Sequence, residues 1–431
     1  MEGLLTELDY FSPQVLQLSI NAEYDRPFGI GLTIVQGGPI EFFIRGADNL
    51  YLDLNNSKLE VKVKITLENG ANIVAADHVG PVNDLLNTLF MSAEMELGST
   101  MVTDPNTKYG FRAIIENLLS STKLISETRM VAEGWKKDTS GHMNDADTAG
   151  ANTGLTARTR WFALSNVVTL IGRPHLDLFH QEKLIPPGID MKLRFIPNSN
   201  TFLLKSAAPA DADPQVMYKL HIESAKLFIR TKEISPSLMT AHQKVLQDTN
   251  YSITYNQIKT KVVSIPTGTS AIEFDNVFQG KLPDIVVLAM ISDANMTGGY
   301  QANPFNFENF GVNFLCIQAN GEQIPRIPYQ PNFANNDYIR AYFGILEALG
   351  YDIGPNCWEL TPEEWATGYN IYAFKLTAGP IGTVRTPPRV GSARLEIKFA
   401  NASTTNINVL LLSQQSAEIQ IDKYKNVILI N

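Results

Sequence analysis

Leu59-Glu60-Val61-Lys62-Val63-Lys64-Ile65-Thr66-Leu67 alternates apolar with charged or polar side chains without a break. Successive side chains of a β-strand point to opposite faces, so this stretch predicts a strand with its apolar set on a core and its lysines in water. The same period recurs at residues 15–20, 41–45, 51–54, 191–195, 218–230, 394–399 and 417–421. Residues 284–291 are instead continuously apolar after Asp284 and predict a strand buried on both faces. Clusters of Gly, Pro and Asn separate these runs, the punctuation of an all-β sandwich.

Helical periodicity is confined to short connections. Phe111, Ile114, Ile115, Leu118 and Leu119 fall on one helical stripe, as do Tyr338, Tyr342, Ile345, Leu346 and Leu349. Ser235-Pro236 opens a third helix running to about Leu246, with proline in the first turn.

The order of these signals repeats. Met95-Glu96-Leu97-Gly98 leads to Tyr109 and Arg112-Ala113, while Ile317-Gln318-Ala319-Asn320-Gly321 leads to Tyr338 and Arg340-Ala341. Pro186-Pro187-Gly188, the strand Lys192-Leu193-Arg194-Phe195 and Phe202-Leu203-Leu204 have counterparts in Pro387-Pro388-Arg389, residues 394–399 and Val409-Leu410-Leu411. The offsets are about 230 and 200 residues, too long for a solenoid, whose repeats run about 20–50 residues. The chain therefore reads as two copies of one β-unit, residues 1–233 and 234–431, meeting near Glu233-Ile234. Residues 122–160 are polar and rich in Gly, Asn, Asp and Thr, which predicts a long exposed excursion from the first unit.

Composition narrows the function. Only 18% of the 431 residues are charged against 44% apolar, below the roughly 25% charged typical of soluble domains, which suits a chain that covers its surface with partners. The formal charge is −9 and Lys/Arg runs are absent from the sequence, so direct nucleic-acid binding is not expected. Cys316 and Cys357 make no disulfide framework, and Met1-Glu2 opens neither a secretory signal nor a myristoylation site. An intracellular folding compartment is therefore expected, and the sequons at Asn55, Asn250, Asn295 and Asn401 read as chance. The apolar run 285–291 is far short of the roughly 18–20 residues of a membrane helix, so membrane insertion is not expected either.

Candidate chemistry is sparse. The sequence carries no phosphate-binding loop, HExxH or GxSxG. Asp145-x-Asp147-x-x-Gly150 copies the opening of a calcium loop, but Ala149 and Thr156 stand where ligands are needed. His175 and His180 flank Asp177 and Leu178 in what reads as a strand, which sends the two imidazoles to opposite faces and rules out a shared metal. Trp358, Glu359, Glu363, Glu364 and Trp365 would suit a sugar-binding or sugar-cleaving site, yet Thr361-Pro362-Glu363-Glu364 reads as a helix capping box. Cys316 sits in an apolar strand and reads as inert core. Phe305, Phe307 and Phe310 read as packing or subunit-contact residues. The expectation is a protein that is not an enzyme, with no catalytic, cofactor or metal site. The alternative is a carbohydrate-binding or carbohydrate-cleaving β-sandwich built around Trp358 and Trp365.

His175-Leu176-Asp177-Leu178-Phe179-His180-Gln181-Glu182-Lys183-Leu184, then residues 186–195, 218–230 and Ser235-Pro236-Ser237-Leu238 with Ala241-His242, resemble a known family. That family is the double jelly-roll major capsid proteins of Polinton/Maverick elements, adintoviruses and their virophage relatives. The resemblance is specific over about 70 residues and architectural elsewhere. It implies two tandem jelly-roll β-sandwiches and a homotrimeric, pseudo-hexameric capsomer of an icosahedral double-stranded DNA virus shell. It further implies residence in the virion and contacts with neighbouring capsomers and a penton or minor capsid protein.

Overall fold

The computed structural model describes residues 19–29, 35–47, 49–75, 77–207, 217–352, 358–377 and 389–430. The acidic N-terminus, most of the 15–20 alternation, Cys357 and Pro387-Pro388 lie outside the described residues.

The strands of the first lobe are β1 (Ile20–Gly29), β2 (Ile40–Ile44), β3 (Leu50–Leu67), β4 (Val79–Pro81), β5 (Phe90–Leu97), β6 (Thr100–Met101), β7 (Val168–Gly172), β8 (Met191–Pro197), β9 (Leu204–Ser206) and β10 (Tyr218–Ile234). The second lobe contributes β11 (Tyr251–Ile265), β12 (Ala271–Lys281), β13 (Ile285–Ser292), β14 (Val312–Ala319), β15 (Glu322–Tyr329), β16 (Ile371–Lys375), β17 (Val390–Phe399), β18 (Ile407–Ile421) and β19 (Val427–Ile430).

Pairing reveals the duplication directly. The first lobe has sheets β1-β10-β3-β7 and β2-β8-β5-β6, and the second has β11-β18-β13-β16 and β12-β17-β14-β15. Setting aside the accessory strands β4, β9 and β19, the eight remaining strands of each lobe follow one order, 1-8-3-6 over 2-7-4-5. Two four-stranded sheets of this antiparallel, eight-stranded kind make a jelly roll. Among the described strands, none pairs across the lobes.

The alternation that announced β3 is the one that packs it. Leu59, Val61, Val63 and Ile65 are buried, while Lys62 and Lys64 reach outward and Lys64 meets Glu223 of β10 at 2.7 Å. Opposite charges on neighbouring strands fix register without entering the core. β10 lies between β1 and β3, pairing Thr231 with Tyr24 and Ile222 with Val63. β18 takes the same central place between β11 and β13. β13 is buried on both faces because Ile285 and Val287, unlike Val286 and Leu288, turn toward the cleft between the lobes.

The predicted helices form at Tyr109–Ser120, Ile339–Leu349 and Pro236–Val245, the last capped by the Ser235 hydroxyl accepting from the Leu238 amide. The first two occupy the same place in their lobes, between the fifth and sixth principal strands. One equivalence fails. Phe202-Leu203-Leu204 belongs to a short helix and to β9, and the true partner of Val409-Leu410-Leu411 is β10. In the second lobe the chain turns from β17 into β18 within a few residues, whereas the first lobe inserts the helix Asn200–Leu203 and β9.

Residues 122–160 are not an exposed excursion. They fold into helices Lys123–Glu127 and Thr153–Trp161 and a 3-10 turn Arg129–Glu133, with Met130, Trp135, Met143 and Leu155 buried. The buried Asp138, Asn152 and Arg158 are satisfied by one another and by the second lobe rather than by water, which composition alone does not reveal. Phe305 and Phe307 are likewise buried, at 2% and 0% exposure, and are not free for subunit contact. Phe305 instead meets Phe111 and Phe202 of the first lobe at ring distances of 5.3 and 5.8 Å, while Phe310 is half-buried. The apolar core consequently runs without interruption through both lobes.

Phe305→Ala should lower unfolding free energy by about 3–5 kcal/mol in urea titration, the usual cost of a buried Phe→Ala cavity. Leu124→Ala, at a site 72% exposed, should stay within about 0.5 kcal/mol of wild type. Similar losses from both would show that Phe305 does not join the lobes.

Candidate functional site

Two places bring polar groups of the lobes together. The first is the junction made by residues 122–160. Asp138 is buried, its Oδ1 accepting from Arg158 Nη2 at 2.6 Å and Asn152 Nδ2 at 2.9 Å. Its Oδ2 accepts from Asn303 Nδ2 at 3.1 Å, and its main-chain carbonyl accepts from the Tyr369 hydroxyl at 2.9 Å, both from the second lobe. Arg158 also donates to the carbonyls of Pro81 and Lys136. Lys137 pairs with Glu359 at 3.3 Å and Glu364 at 2.8 Å. In return, the buried Lys205 of β9 donates to the Gly299 carbonyl at 2.8 Å, and burial pushes its pKa down to about 7.

This packing consumes the residues that suggested a sugar site. Trp365 is fully buried against Phe333, Tyr338, Tyr342 and Tyr372 and donates its indole N–H to the Ile371 carbonyl. Trp358 is buried and donates to the Tyr342 hydroxyl. The capping box at Thr361 and Glu364 is formed, and only Glu363 of the carboxylates here is exposed. Neither indole face is open to a sugar ring. The Asp145 and Asp147 carboxylates accept from the amides of Asp147, Ala151 and Ala149, so they close their own loop. Cys316 is buried, and burial raises its thiol to about 11, with Glu396 adding to the shift.

The second place is a cleft of about 830 Å³ between the lobes, walled by Asn55–Lys58 side chains and the helix Tyr109–Ser120 on one side and by Ile258, Val287 and Leu412 on the other. Sequence reading missed it because its walls come from distant segments. At its base Arg112 is buried and bridges Glu116 at 2.8 Å and Asp177 at 2.7 Å. The other Glu116 oxygen lies 2.6 Å from His175 Nδ1, and Asp177 accepts from the Ile258 amide of the second lobe at 3.2 Å.

The strand expected through His175 and His180 does not form. Asp177–His180 is a 3-10 turn, and it brings the two imidazoles to one side, their rings 5.4 Å apart. Burial opposes ionisation of Glu116, but Arg112 and His175 outweigh it and hold the carboxyl well below the ordinary range. The His180 imidazole is exposed on the cleft side and makes no side-chain hydrogen bond to a described residue.

Nearby, Asp84 and Glu133 are both buried, and Asn87 Nδ2 donates to each, at 3.0 and 3.5 Å. Burial raises Asp84 against the pull of His175. Burial raises Glu133 to about 7, with the Asp84 charge adding and His175, Arg129 and Arg173 opposing.

No protein-family model matches the chain. An uncharacterized protein of Caenorhabditis elegans is 24% identical over 351 residues, 79% of this chain and 80% of that protein. A chain in the structure of the Sputnik virophage matches 98% of this chain and 91% of its own, with a TM-score of 0.67 at 12% identity. The Faustovirus major capsid protein matches 99% of this chain and 93% of its own, with a TM-score of 0.58 at 7% identity. The mavirus major capsid protein covers the same shares, with a TM-score of 0.52 at 9% identity. The chain has the double jelly-roll fold of viral major capsid proteins. The likeness extends over both lobes, so it includes their mutual placement as well as each sandwich.

Glu133 holds in the native state a proton that the unfolded chain releases near its ordinary 4.5, so its contribution is lost as pH rises from there to about 7. Glu133→Gln should therefore raise the melting temperature more at pH 8 than at pH 5. The variant is compared with wild type at each pH, so that the other titrating groups cancel. An equal difference at both pH values would mean that Glu133 ionises normally.

Proposed function

We propose that the chain is the major capsid protein of a double-stranded DNA virus or virus-like element, working by shape and self-association. The observation that carries this reading is the repetition of one eight-strand topology in two fused lobes, shared in fold with capsid proteins across nearly the whole chain. Three such chains place six similar lobes around one axis, filling a hexagonal lattice position with closed three-fold symmetry. The stretches 175–195 and 218–230 suggest kinship with the Polinton/Maverick, adintovirus and virophage group. On this reading the division falls near Glu233-Ile234, the protein resides in the virion, and it contacts neighbouring capsomers and a penton or minor capsid protein. It carries out no reaction and grips no genome directly, in keeping with its charge of −9. Among the described residues no helix is long and apolar enough to cross a membrane.

The trimer contact is assigned to residues that remain exposed. Ile339 and Phe343, four apart on the helix Ile339–Leu349, are 53% and 43% exposed, and Ile327 at the end of β15 is 66% exposed. Arg340 joins the two elements by donating to the Ile327 and Pro328 carbonyls. Interface cores favour such apolar groups.

Light scattering on the purified protein should give about three times the 47.7 kDa chain mass, and negative-stain images should show three-fold rings. Phe343→Glu should shift the mass toward monomer while the circular-dichroism spectrum of the full chain stays that of the wild type. A wild-type protein that stays monomeric at micromolar concentration would overturn the capsid reading.

A further inference from the structure

The base of the inter-lobe cleft holds a set of groups that a purely structural role does not use up. Glu116, His175 and His180 each present one donor atom, and the three atoms lie within 4.8 Å of one another. Among the described residues this is the cluster of that kind. Glu116 is aimed by Arg112, which holds Oε1 and leaves Oε2 toward His175. His175 is fixed from behind, its amide donating to the Tyr109 hydroxyl at 3.0 Å. His180 makes no hydrogen bond to a described residue, yet it faces the cleft from the 3-10 turn that Asp177 anchors to Arg112 and to the Ile258 amide.

We propose that Glu116, His175 and His180 form a binding site for a late first-row divalent cation of the zinc type, with its remaining position open to the cleft. Two imidazole nitrogens and one carboxylate oxygen are the donor set that such ions take, with a fourth place left to water or a small anion. At about 2.0–2.1 Å per bond, tetrahedral donors stand roughly 3.3 Å apart, so the widest pair closes by at most about 1.5 Å. His180 can supply that movement, because its exposed ring makes no side-chain hydrogen bond to a described residue and lies beside the His175 ring. The bound ion replaces the hydrogen bond between His175 Nδ1 and Glu116 Oε2 with bonds to itself. Electrostatics set the class of the fourth ligand. Arg112 is balanced by Glu116 and Asp177, but Lys58, Arg129 and Arg173 also line the cleft, which favours hydroxide or another small anion over a further cation.

The site does not rest on the capsid reading, and monomer and trimer should both bind. The full chain, stripped with a chelator, would be titrated with Zn²⁺ by calorimetry, and with Co²⁺ to read the ligand-field absorption of a low-coordinate site. The expected result is one ion per chain at micromolar affinity or better, with a melting temperature that rises with Zn²⁺. His180→Ala should weaken binding at least tenfold and quench the Co²⁺ bands while leaving the metal-free melting temperature unchanged; His180→Gln replaces it if the alanine variant does not fold. His221→Ala, at an exposed histidine of β10, should bind as wild type does. Absence of stoichiometric binding, or binding that His180→Ala leaves intact, would overturn the proposal.

Discussion

The carboxylate of Asp138 is the group around which the two lobes are organised. It is buried, so its charge must be met by donors in fixed positions, and a buried acid that loses its partner costs several kcal/mol. Arg158 and Asn152 meet it from its own segment, and Asn303 completes the set from the second lobe. Any sliding of one lobe over the other would strand these groups together, whereas an apolar contact would tolerate it. The aromatic contact of Phe305 with Phe111 and Phe202 adds burial, but direction comes from the polar network.

That constraint explains why the two copies of one fold have diverged. In the first lobe the helix Tyr109–Ser120 is almost wholly buried, packed on β5 and the helical turn Leu85–Thr88 and met by Phe305 of the second lobe. Its counterpart Ile339–Leu349 buries only Ala341, Gly344, Ile345 and Ala348 and leaves an apolar edge in solvent. One copy of the helix is spent inside the chain, and the other remains for contacts outside it. Beside the cleft the lobes meet again, the Ile258 amide donating to Asp177 and the Lys108 amide to the Thr260 hydroxyl. The cleft mixes charged groups such as Arg112, Arg129 and Glu133 with apolar ones such as Ile258, Val287 and Leu412.

The local order of the chain was legible in the sequence. Period-two alternation located β3, β8, β10 and β17, an apolar run located β13, and capping residues located the helices at Pro236 and Pro362. These signals are local because a strand's faces and a helix's first turn are decided within a few residues. The repeat at about 200–230 residues was visible for the same reason, as a matching order of local signals.

What the sequence could not determine is where polar residues find their partners. Residues 122–160 read as exposed because they are polar, yet Asn152, Asp138 and Arg158 are satisfied by one another, and by groups more than a hundred residues away. Phe305 read as a packing or a subunit-contact residue, and the sequence left the two open because its partners Phe111 and Phe202 lie in the other lobe. His175 and His180 read as facing apart because alternation was extended through a segment that turns as a 3-10 helix instead. Alone, therefore, the sequence determined the strands, their faces and the doubling of the unit, all fixed by short-range sterics and the burial of apolar side chains. Only the tertiary structure decided the junction and the cleft, because both depend on hydrogen bonds and charges whose partners are distant in the chain.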